Sequence, residues 1–96
     1  MGVQFEWDSG KAELNLRKHG VGFAEAGTVF RDPLAFIFDD EPHSGEERRE
    51  IIIGRSAGDH LLLVCFTERT ENVVRIISAR SATERERKGY EKNRGI

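Results

Sequence analysis

The sequence predicts an α+β fold: a single antiparallel β-sheet meander with two N-terminal helices and one C-terminal helix, in one domain over residues 1–96. Three observations predict it. The runs RREIIIGRS (48–56), HLLLVCFTE (60–68) and VVRIISAR (73–80) follow one another across turns short enough to demand antiparallel neighbours. Upstream, apolar residues between 9 and 30 recur at helical spacing. Downstream, Thr83 and Glu86 stand at capping-box spacing ahead of a charged run.

In chain order, Val3, Phe5 and Trp7 alternate with Gln4, Glu6 and Asp8, the period of a half-buried strand. Asp8 suits a helix N-cap. From Ser9 to His19, Ala12, Leu16 and His19 fall on one stripe with Leu14 beside it, and Gly20 after Lys18 and His19 is a stop signal. Phe23, Ala26, Gly27 and Phe30 mark a second short helix that ends at Asp32-Pro33. LAFIF (34–38) reads as a strand, and DDEPHSGEE (39–47) as an acidic loop broken by Pro42 and Gly45. The three successive strands then lead to a helix reaching Asn93, whose one sizeable apolar residue is Tyr90. A helix without an apolar stripe docks weakly, lies against a partner or presents its side chains for a purpose.

Composition narrows the function classes. The chain needs no disulfide: its single cysteine, Cys65, lies in an apolar run and reads as a core residue in a reducing compartment. No run is long and apolar enough for a membrane span, and the N-terminus has no signal-peptide pattern, so a cytoplasmic protein with no membrane partner is expected. Net charge is −2, but it is polarised. Residues 1–50 carry 6 Lys+Arg against 11 Asp+Glu, or −5; residues 51–96 carry 9 against 6, or +3. A basic C-terminal half can attract a polyanion locally on an acidic chain.

The chemistry-bearing candidates start with the arginines of RIISAR. Strict alternation puts Arg75 on the face of Val73 and Ile77, and Arg80 on the face of Val74 and Ile76. One reading pairs each with a carboxylate such as Glu68 or Glu50. The other assembles Arg75, Arg80, Arg55, Arg85, Arg87 and Lys88 into a phosphate-binding surface, which the bidentate guanidinium suits. No His/Cys pair has metal-ligand spacing, and Asp39, Asp40, Glu41 and His43 read as a solvated loop rather than a cation site, so no metal and no cofactor is expected. Nor is there a nucleophilic serine at a glycine-flanked elbow. These residues alone leave two classes open, an RNA-binding surface and a protein-interaction module.

FEWD (5–8) with Lys11 and Asn15, RKHGVGFAEAGTVFRDP (17–33), EERREIIIGRS (46–56) and RIISARSATERERKGYE (75–91) together resemble the BrnT toxins of BrnT–BrnA type II toxin–antitoxin systems. The resemblance runs from Phe5 to Glu91. It implies a RelE-like ribonuclease fold and metal-independent RNA cleavage that inhibits translation. It also implies a cognate BrnA-like antitoxin that neutralises the toxin in a heteromeric complex repressing its own operon. Metal-free cleavage takes the ribose 2′-OH as nucleophile and needs a base, an acid and cations on the phosphorane. By resemblance and residue type, Arg75 and Arg80 are the phosphate clamps, with Arg55 a third cation. Lys18 or His19 and Glu47 are implied for proton transfer, and Tyr90 for stacking or acid duty. The acidic 39–47 loop fits an antitoxin-facing surface or one assisted by another basic body. The rival class remains a non-catalytic interaction module using the basic C-terminal strand and helix.

Overall fold

Among the described residues five strands form one sheet in the order β1-β5-β4-β3-β2, where β1 is Gln4–Glu6, β2 Phe36–Asp39, β3 Glu50–Arg55, β4 Leu61–Thr70 and β5 Val73–Ser81. The structure, a computed structural model, describes residues 2–43, 45 and 47–93. Helices α1 (Ser9–His19) and α2 (Phe23–Thr28) precede β2, a 3-10 turn over Val29–Arg31 continues α2, and α3 (Glu84–Asn93) closes the order. The acidic 39–47 segment falls partly on Ser44 and Glu46, outside the described residues; Glu41–His43 form a 3-10 turn.

The local signals hold where both partners are close in sequence. Asp8 caps α1 by accepting from the Lys11 N–H at 2.9 Å, and Gly20 ends it in the left-handed region at φ 72°. Asn72 takes the same region at φ 67° to turn β4 into β5. Thr83 and Glu86 form the reciprocal cap of α3: the Thr83 N–H donates to Glu86 Oε1 at 2.8 Å and the Glu86 N–H to Thr83 Oγ1 at 3.2 Å.

Three expectations are corrected. First, the sheet is mixed. The meander β2-β3-β4-β5 is antiparallel, but β1 lies parallel to β5, Gln4 opposite Val73. No hairpin constrains an N-terminal strand, and the whole intervening chain serves as the crossover a parallel pair requires. Second, the stripe expected of α1 is not buried as a whole: Ala12 packs partly buried against the core, but Leu14 and Leu16 are 64 % and 52 % exposed and His19 is exposed, while Asn15 is buried. Asn15 Nδ2 donates to the Ala79 and Val21 carbonyls at 2.8 and 3.0 Å, and its Oδ1 accepts from the Ala79 N–H at 3.1 Å. Because β1 covers β5 only as far as Arg75, the rest of that strand would be a bare edge. A side-chain amide, with one acceptor and two donors, completes the ladder there. Third, Cys65 is only partly buried; burial first, then the Asp40 carboxylate, pushes its thiol up to about 11.

The main core lies between one sheet face and α2: Val21, Phe23, Ala26 and Val29 meet Ile52, Leu62, Val64, Phe66, Val74, Ile76 and Ala79. On the opposite face Tyr90 packs with Ile53 and Leu61, its ring stacked on Phe36 at 6.5 Å. The polar helix α3 is thus fastened by one large side chain.

Candidate active site

A β-bulge decides where the arginines go. Cys65 pairs with Ser78 but Phe66 pairs with Ile76, so Ile77 is an extra residue and the alternation of β5 reverses across it. Val74 and Ile76 before the bulge and Ala79 after it all enter the same core. Arg75 and Arg80 therefore both turn to the other face, which strict alternation forbids. At about 3.3 Å per residue their Cα atoms lie roughly 16 Å apart.

Each arginine has a carboxylate, though not Glu68 or Glu50. Arg75 Nη1 donates to Glu6 Oε2 of β1 at 3.1 Å. Arg80 holds Glu86 of α3 through two parallel bonds, Nη1 to Oε1 at 2.8 Å and Nη2 to Oε2 at 2.9 Å, and Nη1 also reaches the Ser81 carbonyl at 3.2 Å. Of five guanidinium donors, these contacts leave two without a partner among the described residues, on a side chain 39 % exposed. Glu86 thus serves its helix and Arg80 at once. The guanidinium bonds, helped by the Thr83 N–H and hydroxyl, overcome burial and bring its carboxyl from 4.5 to about 2.

A depressed carboxylate pKa stabilises the fold fully above its unfolded value and stops doing so as pH falls through the folded one. The Arg80–Glu86 contribution should therefore be complete above about pH 4.5 and vanish toward about pH 2. The stability difference between wild type and Glu86→Gln, followed by denaturant unfolding against pH, should shrink across that window; a difference independent of pH removes the pair as its source.

Alongside β5, an open groove of about 580 Å³ is lined by Lys11, Leu14, Asn15, Arg17, Lys18 and His19 of α1, with Ile77 and Ser78 of the bulge. Lys11, Lys18 and His19 have no side-chain hydrogen bond or ion pair among the described residues, while Arg17 meets Glu13 at 3.6 Å. Ser78 sits on the face of Arg80 and two residues before it, about 7 Å along the strand. Lys18 and His19 thus line the groove at Ile77 and Ser78, and Arg80 follows two residues further along β5.

The remaining candidates lie elsewhere. Glu47 pairs with Arg69 at 3.5 Å and lines a separate, acid-rich groove of about 350 Å³ with Arg48, Glu50 and Glu68. Arg55 ends β3, where its Nη1 meets Asp59 Oδ1 at 3.6 Å, and buried Tyr90 covers Ile53 and Leu61 between it and Arg80. Tyr90 is 1 % exposed and its hydroxyl donates to Asp32 Oδ2 at 2.7 Å, a geometry that anchors α3 and leaves no ring face for a base. Among the described residues no three His, Cys, Asp or Glu side chains gather as metal ligands; Asp39 instead accepts from Arg48 Nη2 at 2.8 Å.

Sequence reasoning missed the Asn15 contacts, the dual role of Glu86 and a cluster at the β3–β4 turn. There the buried Ser56 hydroxyl donates to Glu25 Oε2 at 2.6 Å, and His60 Nδ1 lies 2.7 Å from the same oxygen. The Ser56 bond first, then His60, holds the Glu25 carboxyl below its ordinary range. Ser56 Oγ also accepts from the Gly58 and His60 N–H groups, which makes it a turn-forming residue.

Comparisons with known proteins agree with this frame. A crystal structure of the Brucella abortus ribonuclease toxin BrnT superimposes with a TM-score of 0.65 at 26 % identity, covering 85 % of this chain and 99 % of that one. No curated protein sequence matches. The family profile described as the ribonuclease toxin BrnT of type II toxin–antitoxin systems matches residues 7–86. With Asn15, the bulged β5 and Arg80 all inside that span, the chain belongs to the BrnT family of ribonuclease toxins.

Proposed function

We propose that the chain is a metal-independent endoribonuclease whose reaction centre lies where the α1–β5 groove meets Arg80. One observation carries it: an arginine oriented by a bidentate carboxylate, with donors to spare, stands about two residues along the same sheet face from a groove lined by His19 and by Lys11 and Lys18, whose ammonium groups have no ion pair among the described residues. A substrate phosphate at Arg80 receives the charge-assisted bonds that grow stronger as the phosphorane forms. His19 takes the 2′-OH proton, the 2′ oxygen attacks the adjacent phosphorus, and the 5′ oxygen leaves with a proton from Lys18. Arg75, one strand segment away, holds a different phosphate and sets the register of the RNA. Glu47, Arg55 and Tyr90 fall outside this assignment by their placement. The proposal extends to neutralisation by a BrnA-like antitoxin and repression of the shared operon by the complex, a reading that membership of a toxin–antitoxin family supports.

The test is the chemistry of the cut. Incubation of the purified chain with end-labelled RNA in excess chelator should yield 2′,3′-cyclic phosphate and 5′-hydroxyl ends. A single 2′-deoxy substitution at the cut site should block it. Cleavage of the deoxy substrate, or loss of activity in chelator, rejects the mechanism. Intact RNA beside a stable complex with the partner leaves the interaction-module reading.

A further inference from the structure

One of the two terminal strands of the sheet has a palindromic sequence. β2 is that strand, and its core segment Phe36-Ile37-Phe38 reads the same in both directions. Its large residues are not sheltered: Ile37 is 50 % and Phe38 43 % exposed. Such an edge is a template for another strand, and natural proteins usually blunt it with charge or proline.

We propose that two copies of this chain pair through β2, antiparallel, about a two-fold axis at Ile37, joining their sheets into one. Hydrogen-bond parity selects that axis. The Asp40 N–H donates to the Arg49 carbonyl at 2.9 Å, so even-numbered residues of this segment bond to β3 and the N–H and C=O of Ile37 and Asp39 point outward. An axis on Phe36 or Phe38 would ask for groups already used by β3. An axis between residues would oppose side chains from different faces, which a pleated pair does not allow.

Centred on Ile37, each register position finds a suitable mate. Ile37 of one copy faces Ile37 of the second and exchanges two hydrogen bonds with it. The Asp39 N–H of each copy reaches the Ala35 carbonyl of the other; the Ala35 N–H is already spent on the Asp32 carbonyl at 3.1 Å. Phe36 faces Phe38 of the second copy on the face where Phe36 already stacks on Tyr90 and lies 6.1 Å from Phe38, so the aromatic row continues across the axis. Asp39 opposes an alanine rather than another carboxylate, and its charge is answered within its own chain by Arg48 at 2.8 Å. A heterologous strand would need none of this self-matching. The short edge places the interface at the small end of specific association, so a concentration-dependent monomer–dimer equilibrium is expected.

Sedimentation equilibrium of the purified full chain should show its mass rise with concentration from 10.9 kDa toward twice that value. Ile37→Lys and Ile37→Glu, each half-exposed and folded by circular dichroism, should stay monomeric, and an equimolar mixture of the two should recover the dimer, because position 37 faces itself. Ile37→Cys should cross-link on oxidation, since a hydrogen-bonded antiparallel pair holds Cα atoms about 5.5 Å apart; Leu34→Cys and the wild type should not. A wild type monomeric at every concentration, a dimer indifferent to Ile37→Lys, or an Ile37→Cys that fails to cross-link each overturns the proposal. No step uses a catalytic assignment, so RNA cleavage stands or falls separately.

Discussion

Replacing Arg80 with alanine should cut the rate of RNA cleavage by on the order of 10²–10³, the usual effect of deleting a preorganised donor to developing charge. Growth arrest on induction should disappear with it. The fold should survive, because the Arg80–Glu86 pair is partly open to water and contributes about 1 kcal/mol or less on that account. Glu86 keeps its Thr83 N–H bond in the variant, so α3 remains capped. Arg80→Lys should recover only part of the rate, since an ammonium supplies charge without the fork that holds Glu86 on one side and a phosphate on the other. Arg75→Ala should act mainly through KM, as a contact to a phosphate that does not change charge. Single-turnover kinetics on one defined RNA, with circular dichroism of each variant, separates these outcomes. An Arg80→Ala protein that cleaves normally removes Arg80 from the reaction centre.

The elements that could be read from sequence were those defined by near neighbours. Asp8 and Gly20 bound α1 where their cap chemistry says, because a cap is satisfied within one turn of chain. The β3–β4–β5 meander was legible because short turns leave one pairing direction. What escaped depends on partners distant in sequence. The parallel partner of β1 is 69 residues away, the distance between Glu6 and Arg75, and no local pattern encodes it. The bulge at Ile77 adds a single residue, invisible in an apolar run, yet it reverses the faces of everything after it and so unites Arg75 with Arg80. Asn15 was given no structural role beside Leu14 and Leu16, because amphipathic reasoning counts apolar side chains. Here the helix covers a strand edge, and hydrogen-bonding capacity decides which face turns inward. The acid at Glu86 was visible as a cap; that it also grips Arg80 needed the helix to fold back beside β5.

Tyr90→Ala should be the most damaging single change to stability, about 3–5 kcal/mol for truncating a fully buried aromatic residue. That is a large share of a margin of the order of 5–15 kcal/mol. Among the described residues no other side chain of α3 enters the core clusters, so the helix should detach and carry Glu86 away from Arg80. Activity should fall as well, but indirectly. Tyr90→Phe separates anchor from catalyst. It keeps the ring on Phe36 and removes only the hydroxyl that donates to Asp32. Burial pushes the Asp32 carboxyl up, yet the N–H groups of Arg55 and Leu34 and the Tyr90 hydroxyl together hold it below its ordinary range. Two of those three donors persist in the variant, so the cost should be roughly 1–3 kcal/mol, the scale of one bond to a charged acceptor. Below its shifted melting temperature the variant should cleave RNA at close to the wild-type rate. A Tyr90→Phe protein that melts normally but no longer cleaves would return the hydroxyl to the chemistry as its acid, and would mean that α3 opens for substrate.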